Sequence, residues 1–186
     1  MIGFAVCGSF CNHKNAIDVL EKLLDKGLEV LPIVSETVYT TDTRFGKAVD
    51  FIERLEAITG HSVIHTIEAA EPIGPKIKLD ALVICPCTGN TAAKLAHGIC
   101  DTAVTMAAKA HLRNERPLVI AFASNDGLSM AAPNIGLLLQ RRNVYFVPFG
   151  EDDPEKKTRS LVCDFSRVSD TLELALEGRQ LQPIVF

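Results

Sequence analysis

The residues Cys85-Pro86-Cys87-Thr88-Gly89-Asn90-Thr91 put a hydroxyl, a glycine and an amide into one short turn, between the apolar run Ala81-Leu82-Val83-Ile84 and the Ala-rich stretch Ala92 to Gly98. This reads as buried strand, turn and helix. Free N–H groups on the first turn of a helix attract anions, and ligands of open α/β sheets bind at the carboxyl ends of the strands. The chemistry expected of Cys87, Thr88, Gly89 and Asn90 is therefore binding of a phosphorylated ligand. The Asn90 amide either faces a heterocycle or caps the helix. Lys94 and His97 fall on the same helical face as Asn90, a face that either meets an anionic ligand or is simply solvated.

Three more polar turns follow apolar runs. In Gly8-Ser9-Phe10-Cys11-Asn12-His13-Lys14 a glycine precedes a hydroxyl and a cation. It reads equally as a phosphate cradle or as a tight turn with Asn12 as cap, and it lacks the later glycines of the dinucleotide fingerprint. Ser35 ends a second apolar run, and by itself reads as a cap. Taken together, Ser9, Ser35 and Thr88 are expected to face one crevice at the strand ends. Ser124-Asn125-Asp126-Gly127 ends a later run, where Asn125 and Asp126 either contact substrate or form a plain turn. His13, Lys14, Asn125 and Asp126 are the candidate catalytic or substrate-contacting residues.

The elements that must position these turns are legible as alternating patterns. Strand candidates are Ile2 to Cys7, Leu28 to Val34, Ser62 to Ile67, Leu79 to Ile84, Pro117 to Ala123 and Asn143 to Val147. Helical spacing places Ala16, Leu20, Leu23 and Leu24 on one face, and Phe45, Val49, Ile52 and Leu55 on another, with Gly27 and Gly60 as stops. This alternation predicts an α/β fold: a doubly wound, Rossmann-like parallel sheet with helices on both faces, three layers in all. A single domain over residues 1–186 is expected, its core in 1–150. The charged stretch from Gly150 to Arg159 reads as a loop leaving the sheet, followed by a helix through Val168, Leu172, Ala175 and Leu176 and an apolar tail.

Composition narrows the function classes. The chain of 186 residues is 47% hydrophobic and 23% charged with a net charge of −4, and no Lys/Arg cluster could neutralise a row of phosphates, so no nucleic-acid partner is expected. No apolar run approaches a membrane span, and the first residues lack a basic region, so a soluble cytoplasmic protein is expected. The six cysteines do not follow zinc-site spacing, so neither metal nor disulfides are expected.

Pro86-Cys87-Thr88-Gly89-Asn90-Thr91, with Lys94, Gly98 and Asp101, resembles the Pro-Ala-Ser/Thr-Ala-Asn-Thr motif of the flavoprotein family that includes the homo-oligomeric flavin-containing cysteine decarboxylases and the flavin prenyltransferases. The resemblance extends from Gly8-Ser9 to about Gly150. It implies FMN, with its phosphate at Gly8, Ser9, Phe10 and Ser35 and its ring near Cys87, Thr88, Gly89 and Asn90. It also implies a homo-oligomer, a trimer or multiples of one. The segments Glu71-Pro72-Ile73-Gly74-Pro75, Lys109-Ala110-His111-Leu112-Arg113-Asn114 and Tyr145-Phe146-Val147-Pro148-Phe149-Gly150 are similar to one branch of the family. That branch works with an A subunit resembling an NAD(P)-dependent dehydrogenase and oxidises a small cyclic dicarboxylate to its aromatic product. His13, Lys14 or Lys94 would then meet the carboxylates. The chain departs from the decarboxylases in having no histidine between His65 and His97, and in carrying Ala123-Ser124-Asn125-Asp126 where they have a Pro-x-Met-Asn clamp. A non-catalytic assembly subunit with a vestigial flavin pocket, and a flavin decarboxylase of another acid, are the alternative readings.

Overall fold

Five of the apolar runs become parallel strands, β1 (Ile2–Val6), β2 (Val30–Val34), β3 (Ala81–Cys87), β4 (Leu118–Ser124) and β5 (Val144–Phe146), in a computed structural model that describes residues 1–186. Every residue of β1, β2 and β3 is buried, the pattern of strands covered on both faces. The spatial order is β2-β1-β3-β4, with β5 on the far side of β4. Chain order therefore reverses between β1 and β3, and this opens a crevice at their carboxyl ends.

Two helical groups flank the sheet. The helix α1 (His13–Asp25) packs against α3 (Ala48–Thr59) and α8 (Val168–Leu176), and α3 against the short α2 (Glu36–Thr40). On the other side α5 (Gly89–His97) packs on α6 (Ala103–Leu112) and α7 (Ala132–Leu139), and α4 (Ile67–Ala70) on α6. A single cluster of 52 buried residues joins these layers. The fold is α/β and Rossmann-like, as the alternation of patterns predicts. No helix is long and apolar enough to cross a membrane.

The structure corrects four expectations. The run from Ser62 to Ile67 makes one bridge, Ile64 to Ile33, rather than a strand. Ile64 donates to the Pro32 carbonyl and accepts from Val34, but Pro32 has no N–H with which to extend the ladder. Second, Phe45 and Val49 are each 55% exposed, while Ile52 and Leu55 are buried. Helix α3 starts only at Ala48, whose N–H donates to Asp42 Oδ1, because Gly46 at φ 147° interrupts the chain just before it.

Third, the sheet is mixed rather than all parallel. Strands β6 (Phe149–Glu151) and β7 (Leu161–Cys163) form an antiparallel hairpin, and β7 pairs antiparallel with Ala123 and Ser124 at the end of β4, beyond the reach of β5. Fourth, the core does not end at residue 150. Leu161, Cys163, Val168, Leu172 and Ala175 belong to it, and the charged stretch before them is the hairpin loop. The tail folds back, with Phe149 donating to the Ile184 carbonyl and Phe186 to the Phe149 carbonyl.

Candidate functional site

The hydroxyl of Thr88 does two things at the end of β3. It accepts from the Thr91 N–H at 3.2 Å, capping α5, and donates to the Thr91 hydroxyl at 3.1 Å. Thr91 in turn donates to Cys7 Sγ at 3.3 Å, which ties the start of α5 to the end of β1. Thr88, not Asn90, is thus the cap, and the exposed Asn90 amide is left available. Gly89 and Asn90 sit in the first turn of α5, and their N–H groups have no partner within the chain.

The loop after β1 is organised in the same way. Asn15 donates to Asn12 Oδ1, and Asn12 Nδ2 donates to Ser9 Oγ at 2.9 Å. Ser9 accepts that bond, so its own proton is free to donate to a ligand. The N–H groups of Gly8, Phe10 and Cys11 donate to no group of the chain. Asn12 does not cap α1 with its side chain as the turn reading proposes, because its Oδ1 accepts from the Asn15 side chain rather than from a backbone N–H.

At the end of β4, Ser124 donates to Asp126 Oδ1 in a short hydrogen bond, and the Asp126 N–H lies 3.4 Å from Ser124 Oγ. This corner presses on α5. A Cβ built on Gly89 would stand 2.8 Å from Ser124 Oγ and 3.0 Å from Asp126 Oδ1.

These three strand ends border one cleft of about 720 Å³, within the size range of small-molecule sites. Its walls are Gly8 to Asn12, Thr88 to Asn90 and Ala123 to Asp126, with Arg44 and Phe45 from the α2–α3 loop and Asp152, Lys157, Ser160, Leu161 and Val162 from the hairpin. The fit to a flavin mononucleotide rests on features of this cleft: unpartnered N–H groups at Gly8, Phe10 and Cys11, a free hydroxyl proton on Ser9, and the exposed amide of Asn90.

Of the sequence-derived candidates, the structure brings Gly8, Ser9, Phe10, Thr88, Gly89, Asn90, Asn125 and Asp126 together in the cleft. Others stand elsewhere. Ser35 accepts from Val38 N–H as the cap of α2 and does not border the cleft. The Cys87 side chain is fully buried within β3, and burial pushes its thiol well above the usual range.

His13 is turned under the loop. Its Nε2 lies 3.0 Å from the Cys7 carbonyl, and its ring stacks on Phe51 with centroids 4.4 Å apart. The carbonyl can only accept, so Nε2 carries the proton. Burial lowers the pKa of this histidine, while the Cys7 carbonyl partly restores it. His13 and Lys14 line a smaller neighbouring cavity with Phe51 and Lys47. Lys94 is engaged by Asp101 at 2.8 Å and His97 by Asn134 at 3.1 Å, so neither meets the cleft.

Arg44, Phe45, Lys157 and Ser160 are cleft residues that sequence reasoning misses. Phe45 has the spacing of a helical face, and Lys157 lies in the stretch that reads as leaving the sheet. The polar break Thr40-Thr41-Asp42-Thr43 before Gly46 is the available signal that residues 44 and 45 belong to a loop at the strand ends.

Comparison with known proteins agrees with this architecture. The family model described as Flavoprotein matches residues 1–165. The chain is 43% identical over 184 residues to the B subunit of dipicolinate synthase of Bacillus subtilis (strain 168), covering 99% of this chain and 92% of that protein. The crystal structure of the corresponding dipicolinate synthase B subunit from Bacillus halodurans superposes with a TM-score of 0.91 at 40% identity, over 100% of this chain and 95% of that one. The FMN-dependent cysteine decarboxylase SpaF superposes with a TM-score of 0.69 at 26% identity, over 94% of this chain and 95% of its own. With a family match over most of its length and relatives this similar from end to end, the chain belongs to the Flavoprotein family.

Proposed function

We propose that this chain is the B subunit of a dipicolinate synthase, holding FMN in the cleft and acting with an A subunit that carries NAD(P) to oxidise dihydrodipicolinate to dipicolinate during sporulation. The observation that carries the reading is the junction of three strand ends at one cleft with unpartnered N–H groups at Gly8, Phe10 and Cys11. The strong similarity to proteins of that name along nearly the whole chain supports it. A flavin bound there supplies a two-electron acceptor for an aromatising oxidation.

The residues of the chain would divide the remaining work. Gly8, Ser9 and Phe10 hold the phosphate through N–H and O–H donors, and the amides of Asn90 and Asn125 face the ring and the substrate. Aromatisation removes a hydride and a proton from the substrate. Asp126, which borders the cleft, would take the proton: Ser124 donates to its Oδ1, and its Oδ2 has no partner within the chain. The test is anaerobic mixing of the flavin-loaded protein with dihydrodipicolinate, followed by absorbance. Bleaching of one flavin per substrate, lost in Asp126→Asn with flavin still bound, is expected. An unchanged flavin spectrum would overturn a redox role.

One observation favours a second reading. No histidine borders the cleft, and Lys94 and His97 are engaged elsewhere. On this reading the chain is an assembly subunit that stabilises or positions its dehydrogenase-like partner, and that partner alone would show activity.

A further inference from the structure

Only two cations border the cleft, Arg44 on the α2–α3 loop and Lys157 on the hairpin loop, beside the acids Asp126 and Asp152. The cations expected from sequence to meet a carboxylate stand elsewhere: Lys94 is engaged by Asp101, and His13 and Lys14 line the neighbouring cavity. Lys157 is fastened to the β4 end. Its ammonium pairs with Asp152, and the hydroxyl of the buried Ser160 lies 3.4 Å from both Asp152 Oδ2 and the Ser124 carbonyl. Ser124 in turn donates to Asp126. Arg44 arrives on a separate loop that meets the β1 loop, since Phe45 borders Phe10 and Cys11 in both cavities. Its guanidinium lies over the Phe45 ring, 4.9 Å from the centroid, and has no carboxylate partner among the ion pairs of the chain.

A small cyclic dicarboxylate brings two negative charges into this cleft. Asp126 and Asp152 would repel it if no cation answered them. We infer that Arg44 and Lys157 each take one carboxylate of the substrate, an inference that rests on the dicarboxylate reading above and adds to it the residues that select for a second carboxylate. Arg44 offers planar paired donors with nothing to displace, whereas Lys157 must exchange Asp152 for the substrate. Because the Lys157 loop is tied through Ser160 to the Ser124–Asp126 corner, the carboxylate on Lys157 keeps the substrate at the end of the cleft that holds the proposed base.

The experiment is calorimetric titration, in metal-free buffer, of dipicolinate and of picolinate, which has the same ring and one carboxylate. The proteins are wild type, Arg44→Gln, Lys157→Gln and the double variant, each incubated with FMN and freed of the excess. Both side chains are exposed, so the variants are expected to fold, and their thermal midpoints check this. Wild type should bind dipicolinate about 10-fold or more tighter than picolinate, and each single variant should lose that preference. FMN retained per chain should be unchanged in all four. Asp152→Asn should tighten dipicolinate a few-fold by freeing Lys157. Unaltered dipicolinate affinity in the double variant, or loss of FMN in place of dipicolinate, would overturn the clamp while leaving the function reading standing. Wild type that holds FMN but does not bind dipicolinate would overturn the clamp and the dicarboxylate reading together. Wild type that holds no FMN yet keeps its preference for dipicolinate would overturn the flavin reading and support the clamp.

Discussion

Gly89 is the residue at which the cleft tolerates least. A methyl group there meets Ser124 Oγ and Asp126 Oδ1, so Gly89→Ala must push the Ser124–Asp126 corner outward into the space proposed for the ring. The expected outcome is a flavin Kd raised about 10-fold or more with little change in thermal midpoint, because the displaced atoms are side-chain ends at the cleft wall. Cysteine chemistry gives an independent readout of the same wall. Cys7, Cys85, Cys87 and Cys163 are buried, whereas Cys11 is exposed and Cys100 half-buried. Burial pushes the Cys7 thiol up to about 11 and raises the other three as well. A thiol reagent should therefore label Cys11 and Cys100 in the native protein and reach the other four on unfolding. Because Cys11 borders the cleft, FMN should protect it and leave Cys100 reactive. Titration of the histidines acts on stability. His13 and His111 are held neutral, each pushed below its ordinary value of 6.5 chiefly by burial, against the opposing pull of the Cys7 and Pro117 carbonyls. Below that ordinary value the unfolded chain binds protons that the folded chain does not. Their stabilising contribution is thus complete above about pH 6.5 and is lost as pH falls toward the lower folded values, at up to ~1.4 kcal/mol per pH unit for each ring. Denaturant midpoints between pH 7 and pH 5 should fall less steeply in His111→Gln than in wild type.

At the scale of elements, the β6–β7 hairpin is what separates this cleft from that of a plain doubly wound sheet. It closes one wall by pairing β7 with the last residues of β4, and Gly127 allows the close approach. A Cβ on Gly127 would stand 2.6 Å from Leu161 Cβ. Gly127→Ala should destabilise the protein by about 1–3 kcal/mol and loosen flavin binding as well, since Leu161 lines the cleft. Urea midpoints with and without FMN would separate the two effects. This hairpin is also where the sequence is least legible. Its strands have three residues each, too few to show a period of two, and Asp152 to Arg159 between them carries the composition of a solvated loop because it is one. The long buried strands β1, β3 and β4 announce themselves as apolar runs, and the caps Thr88 and Ser35 stand where hydroxyls follow strands. A hydroxyl at a strand end does not say whether it faces a ligand or its own backbone. Ser9 and Ser35 look alike in sequence, and they differ because Asn12 engages the first from the side while Val38 N–H takes the second into a helix. The same limit applies to His13 and Lys94, whose partners Cys7 and Asp101 are set by tertiary packing.

For the molecule as a whole, the cleft is set at the reversal between β1 and β3 and is closed by loops from both sides of the sheet. Exposed apolar residues Met130, Leu137 and Leu139 on and before α7 lie outside the core, and a homo-oligomer remains the proposed state of assembly. A flavin held in the cleft should be released by heat from the purified protein after incubation with FMN and removal of the excess, where mass spectrometry identifies it and its amount is compared with chain concentration. A working site predicts FMN near one per chain in wild type and a large loss in Gly89→Ala. Protein that releases no flavin after loading would contradict it.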